Sequence, residues 1–436
     1  MKKIIFIVAA AGLAVLLFSG TLVPLFAEEY SLDDLYRVAL ARSEKLKAAE
    51  ENLVIAETGN EKALSYLLPR LTATGGLTQY SETKHSATRS VIQSDRAFSW
   101  GLRVDESFSL SGRELTALGM AKHNVAKSRF DLAAVREDYL LRQVAAAYYN
   151  VLMARKNLEI ADANLERLKK HRNAAEQRLK IGEVTRTVLL RAEGELSGAN
   201  SDRLQAENGL ELALAILASN CGIKGAFTLR ETPAAEGEVQ ALSAFQEQAF
   251  AGRADLMGME VQKQIAADQI RFNEGAFWPS VTLSGVYSGA DQNPPQSNMN
   301  RASLYGGVAL NFPFFEGGLR KAEVAEAKAR ERQAGLLYEE MKKSIEIEVR
   351  TAYLEMVTQR GVIRFLNDQL AFARENYRAV VRQFEFGLSN SLDVMDANTL
   401  LVSAERKAAA ADYGYQLSLL RIKKATGTLL ASVAGK

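Results

Sequence analysis

The chain is written twice, and no other feature constrains its fold as strongly. Leu32-Asp33-Asp34-Leu35 reappears as Leu242-Ser243-Ala244-Phe245, a shift of 210. The same shift carries Ala39 onto Ala249, Leu46 onto Leu256, Pro69 onto Pro279 and Gly75 onto Gly285. Later segments match at a shift of 205: Ala147-Tyr148 onto Ala352-Tyr353, Gly182 onto Gly387, Ala192 onto Ala397 and Gly222 onto Gly427. The change of shift falls between Gly75 and Ala147, where a loop of variable length is expected. A period near two hundred residues is too long for a solenoid repeat and implies two copies of one large unit. The units are read as 28–239 and 240–436, after a leader at 1–27.

Each unit has one plan. A helical stretch comes first, over about 30–68 and 241–277, and Pro69 and Pro279 end these helices because proline cannot continue them. Two strand-like runs follow: 71–81 and 97–110 in the first unit, 280–290 and 302–313 in the second. A very long helical stretch comes next, about 113–180 and 318–385. A short Gly-bearing turn, 181–185 and 386–390, then leads into a second helix at about 186–219 and 391–425. With seven Pro among 436 residues, helices of this length meet few obstacles.

The long helices carry heptads. Leu140, Val144, Ala147, Val151, Ala154, Leu158, Ala161, Leu165 and Leu168 alternate spacings of four and three. Ile345, Val349, Ala352, Met356, Gln359, Ile363, Leu366, Leu370 and Ala373 do the same. A spacing averaging 3.5 marks a coiled-coil seam. At 1.5 Å per residue, each helix reaches roughly 100 Å.

The strands alternate. Phe98, Trp100, Leu102, Val104 and Phe108 share one face, with Glu106 as the exception. Ser99, Gly101, Arg103, Asp105, Ser107 and Ser109 share the other. Val281, Leu283, Gly285 and Tyr287 fall together, as do Leu304, Gly306, Val308, Leu310 and Phe312; the run from Leu71 to Tyr80 alternates weakly. Runs of this length fit either a soluble sandwich or membrane strands of about 9–11 residues. Four strands cannot close a bacterial barrel, which needs about eight, and open edges are forbidden in lipid. A membrane reading therefore requires several chains to pool their strands.

Residues 1–27 read as a signal peptide cleaved after Ala27: Lys2-Lys3, an apolar run from Ile4 to Phe18, then Pro24-Leu25-Phe26-Ala27. No Cys follows the run, so no lipoprotein anchor is expected, and no later stretch of about 18 apolar residues offers a membrane helix. Without Lys2 and Lys3 the chain has 52 basic and 52 acidic residues, so bulk electrostatics do not recruit nucleic acid. The single Cys221 excludes an intrachain disulfide framework. Three scattered histidines, His85, His123 and His171, exclude a histidine-rich metal site and are expected to be exposed. No cofactor is expected.

The sequence resembles the TolC-type outer-membrane efflux proteins of Gram-negative bacteria over essentially the whole mature chain. The resemblance rests on the duplication and on the junctions Leu68-Pro69 and Trp278-Pro279. It rests also on Phe314-Phe315-Glu316-Gly317-Gly318 and on the run from Gly387 to Ala397, Gly-Leu-Ser-Asn-Ser-Leu-Asp-Val-Met-Asp-Ala. It implies an α+β membrane protein: a homotrimer whose chains each give four strands to one twelve-stranded barrel. The long helical hairpins would form a periplasmic tunnel. Such a duct conducts passively, with a periplasmic adaptor and an inner-membrane pump, and does no chemistry.

The resemblance assigns the tips, Gly182 and Glu183 in the first unit and Gly387, Leu388 and Ser389 in the second, to adaptor docking. By residue chemistry alone Gly182 and Gly387 are helix C-caps, and Thr185 and Asn390 are N-caps. Asp393 and Asp396, three apart and so on one helix face, would ring the tunnel's constriction; the plainer reading is a helix-dipole partner and solvated surface. The family's basic residue at the position of Ser389 is missing here. In the first unit Arg186 and Arg191 stand nearby. Tyr80, Trp100, Trp278, Tyr287 and Tyr305 are candidates for interfacial belts. The rival readings are a periplasmic coiled-coil structural or adaptor protein with a small soluble β-domain, and an exported enzyme. The first should show one helical hairpin, not two; for the second no nucleophile–base set is visible.

Overall fold

The computed structural model describes residues 28–231, 240–295 and 301–434; the leader reading at 1–27 lies outside them. The first unit opens with β1 (Glu28–Tyr30), α1 (Leu32–Arg42) and α2 (Glu44–Ser65). Then come β2 (Arg70–Gln79), the short hairpin β3 (Lys84–His85) and β4 (Val91–Gln93), and β5 (Arg96–Ser109). The long helical run is α3 (Arg113–Tyr139), a π-turn (Leu140–Ala145) and α4 (Ala146–Lys180). It is followed by α5 (Arg186–Cys221) and β6 (Phe227–Leu229), which pairs in parallel with β1. The second unit repeats the plan with α6 (Leu242–Gly252), α7 (Ala254–Glu274), β7 (Ser280–Asn293) and β8 (Ala302–Asn311). It ends with α8 (Leu319–Glu385), α9 (Ser391–Ala425) and α10 (Leu429–Ala434).

The opening helix of each unit is broken, against the expectation of one continuous stretch. The breaks fall at Ser43 and Arg253, both extended (φ −61°, ψ 123° and φ −75°, ψ 121°). Each donates its N–H to the alanine four residues back, Ala39 or Ala249. Each break is seated on the glycine that caps the opposite end of its unit. A Cβ on Gly222 would lie 3.1 Å from the Arg42 Cβ, and one on Gly427 would lie 2.7 Å from the Gly252 carbonyl oxygen. The duplication thus extends to a tertiary contact. The π-turn departs from the second copy, where α8 is an unbroken 67-residue helix. The wider turn lets Leu140, Leu141, Val144 and Ala145 all face one core, with Leu35, Tyr36, Leu46 and Leu217. The second unit has its own core around Leu256, Ile345, Val349 and Met356.

The four long strands form one antiparallel sheet in the order β2-β5-β7-β8. The two units meet at β5 and β7, and β2 and β8 are left as the edges. Register sorts the faces. Leu71, Ala73 and Leu77 stand opposite Val104, Leu102 and Phe98; Leu102 stands opposite Tyr287, which stands opposite Leu304. Val281 and Leu283 pair with Leu310 and Val308 on that same face. Glu106 lies among them, opposite Leu283. The other face carries Thr72, Thr74, Ser99, Arg103, Asp105, Ser107, Thr282 and Ser288. Tyr305 falls on this polar face, opposite Val286, so it is not a belt residue. The strand read from the sequence as ending near 290 continues as β7 as far as Asn293 along the start of β5. Trp100 closes over Gly289 and meets Tyr287 edge-on at 5.0 Å, filling the gap that the glycine leaves.

Candidate functional site: the membrane face and the helical tips

Two regions carry functional geometry, at opposite ends of the long helices. The first is the sheet. Its apolar face is bare: Leu304 is 78% exposed and Val308 75%, with Leu71, Leu77, Leu102 and Leu310 also uncovered. A face of this extent is a membrane or partner surface. In lipid every backbone group must be paired, so the free edges of β2 and β8 must be met by other chains. Among the described residues, no helix is long and apolar enough to cross a membrane.

The second region is the pair of tips. Both are built by the same turn. Gly182 and Gly387 are left-handed (φ +77° and +75°). Their N–H groups return to Leu179 and Phe384, while Glu183 and Leu388 donate to the carbonyls of Arg178 and Gln383. This double closure satisfies the last orphan carbonyls of α4 and α8 and requires φ > 0 at the glycine. The chain then turns directly into α5 and α9. Leu388 is 80% exposed, and Ile181 and Phe386 are similarly bare.

The N-caps differ. Asn390 accepts from the N–H groups of Leu392 (2.8 Å) and Asp393 (3.1 Å), and Asp393 Oδ2 accepts back from the Asn390 N–H (3.0 Å). The Ser389 hydroxyl also donates to Asp393 Oδ2, at 3.1 Å. Asp393 is therefore committed to a reciprocal capping box, and Ser389 holds it by a hydrogen bond where an ion pair is impossible. Asp396, one turn further along α9, is exposed. Thr185 stands at the N-cap of α5 but makes no capping bond; its hydroxyl pairs with that of Thr187, 3.1 Å away. Glu183 is exposed and lies 3.8 Å from Arg178.

Sequence reasoning missed what joins the tips. Arg178, on the first hairpin, donates to the carbonyls of Phe384 (2.6 Å) and Glu385 (2.9 Å) and lies over the Phe384 ring at 4.2 Å. His171, expected at the surface, is buried; its Nε2 is 2.8 Å from Ser391 Oγ. From Leu168 the alternating spacing runs on to Arg172, one residue past His171, so the seam gave no signal for it. Cys221 is fully buried at the end of α5, and burial pushes its thiol up to about 12, which makes it inert at neutral pH. No cluster of His, Cys, Asp and Glu suited to a metal occurs among the described residues.

A lipid-facing sheet continuous with antiparallel helices of about 100 Å defines one wall segment of an outer-membrane channel-tunnel. The chain belongs to the outer membrane efflux protein family, whose sequence pattern matches residues 35–222 and 246–428. Among its relatives is the outer membrane protein TolC of Vibrio cholerae, 24% identical over 436 residues, with 98% of this chain and 96% of the relative covered. The pyoverdine export outer membrane protein OpmQ of Pseudomonas aeruginosa is 27% identical over 420 residues, covering 93% of this chain and 85% of the relative. The fold matches the CmeC outer membrane channel of Campylobacter jejuni with a TM-score of 0.81, at 18% identity, over 91% of this chain and 86% of that one. The protein is an efflux channel of the Gram-negative outer membrane, and members of its family work in tripartite systems as passive conduits.

Proposed function

We propose that three copies of this chain close into one duct that carries substrates passively from an inner-membrane pump, through an adaptor docked at the tips, to the cell exterior. The open four-stranded sheet with one bare apolar face carries this reading, since it has no stable form in lipid until other copies complete it. The helical wall supports the same closure. Helix contacts run α5–α4–α9–α8, leaving α5 and α8 as its edges. On α8, Ile347, Leu354, Phe365 and Phe372 are exposed, each two residues beyond a seam position. Two residues turn an α-helix by about 200°, so this second stripe points away from α9, toward a neighbour. Edge strand β8 and edge helix α8 adjoin in sequence, so one rotation serves both layers.

The leader is removed after Ala27 in this reading, leaving units 28–239 and 240–436, and the protein is not an enzyme. Gly182, Glu183, Gly387, Leu388 and Ser389 form the adaptor-docking tips. Asp393 and Asp396 from three chains ring the periplasmic aperture, where rings of Asp favour cations. Planar-bilayer recording tests this assignment. Asp393→Ala with Asp396→Ala is expected to reduce cation selectivity and to weaken block by multivalent cations added on the periplasmic side. Unchanged selectivity and block would remove both residues from the pore.

A further inference from the structure

A row of side chains on α4 fastens the first hairpin to the second near the tips. Arg167 Nε donates to Asn398 Oδ1 at 2.9 Å, and Asn398 Nδ2 donates to Asn164 Oδ1 at 2.7 Å. Arg178 closes the row at the carbonyls of Phe384 and Glu385. Between them sits His171, 7% exposed, bonded to Ser391 at the first turn of α9 and packed on the Phe384 ring at 5.2 Å. Of this row only the imidazole changes charge near neutral pH.

The groups around it give a proton no welcome. From its own helix comes the cation Arg178, and Arg172 is drawn to Glu176 (3.0 Å) and Glu193 of α5 (4.0 Å). From the end of α8 come the Phe384 ring and the Glu385 carbonyl, the latter already held by Arg178. From α9 comes the Ser391 hydroxyl, while Asp393 is held by Asn390 and Ser389, and Glu183 lies by Arg178. Among the described residues no carboxylate forms an ion pair with the His171 ring.

We propose that His171 is a proton-sensitive positioning residue: neutral, it holds the second tip against the first hairpin, and protonated, it releases that tip. This rests on the tips being the gated end of the conduit and names a regulator of that gate. Desolvation first, and the charge of Arg178 second, hold the imidazole below its ordinary value of 6.5. The docked tip therefore binds the proton more weakly than the released tip. By linkage the latch is at full strength above about 6.5 and weakens as pH falls through that value.

Hydrogen–deuterium exchange of the detergent-solubilised full assembly, followed over residues 384–392 and corrected for intrinsic rates, tests this without reference to conductance. Wild-type protection should fall as the pH drops from about 7.5 to 5.5, the direction set by an imidazole that binds its proton more weakly in the docked tip. His171→Gln keeps an amide donor for Ser391 and should abolish the pH response, while any response from His85 or His123 persists elsewhere. Ser391→Ala should lower protection already at the higher pH and shrink the response, so it serves if the glutamine variant does not assemble. A wild-type tip indifferent to pH, or an identical pH response in either variant, overturns the latch. Failure of the aspartate recording would remove the aperture assignment and leave this result standing.

Discussion

Arg253 occupies the break between α6 and α7, where its counterpart in the first unit is Ser43. The arginine is 4% exposed and donates to Asp255 and Glu348, each at 2.6 Å, and to the Ala425 carbonyl at 3.3 Å. One side chain thus ties the helix break to α8 and to the end of α9. Truncating one member of a fully buried ion pair costs about 3–5 kcal/mol; here the cost is smaller, because Glu348 keeps Lys424 at 2.6 Å and both carboxylates are partly exposed. Arg253→Ala should therefore lower the thermal unfolding midpoint in detergent, read by far-ultraviolet circular dichroism. Arg253→Lys should recover only part of the loss, because a point charge cannot replace the two-pronged contact to Asp255. At the tips, Leu388→Asp tests docking: cross-linking to the adaptor should be lost, with assembly and outer-membrane location intact, because an exposed turn residue contributes little to folding. Undiminished cross-linking would reduce Leu388 to a turn residue.

At the scale of elements, periodicity made the seams legible, since Val144, Ala147, Val151, Ala161, Leu165, Ile345, Val349, Ala352 and Met356 are all buried where the heptads put them. Alternation likewise sorted the strand faces. The helix breaks were illegible, because neither Ser43 nor Arg253 bars a helix; the extended backbone there is dictated by packing on Gly222 and Gly427 across the unit. The π-turn was illegible for a similar reason: Leu-Leu-Arg-Gln-Val-Ala suits any helix, and the demand for four core contacts is tertiary. His171 escaped because the seam spacing points to Arg172, and its burial comes from Ser391 and Phe384 of the other hairpin. The capping roles of Asn390 and Asp393 could be read locally, whereas Arg178 reaches a hairpin some two hundred residues away. The glycine contact gives a test at this scale. Gly427→Ala would force a left-handed alanine, at about 1–2 kcal/mol, and drive its Cβ to within 2.7 Å of the Gly252 oxygen. Its unfolding midpoint should fall, whereas a midpoint equal to wild type would mean that the break and cap adjust freely.

For the whole molecule, sequence duplication becomes structural economy. Each unit supplies two strands and one long hairpin, and two units make a segment with complementary edges: β2 and α5 on one side, β8 and α8 on the other. Neither layer is complete in a single chain. The sheet has unpaired edges and a bare apolar face, and the helical wall has a stripe of large apolar residues without an intrachain partner. A heterologous contact that closes on itself satisfies both layers together. Native mass spectrometry of the protein extracted from outer membranes measures this most directly. The expected result is one species of three copies, each beginning at Glu28 without lipid, persisting on dilution in detergent. A folded monomer with no larger form at any concentration would contradict it.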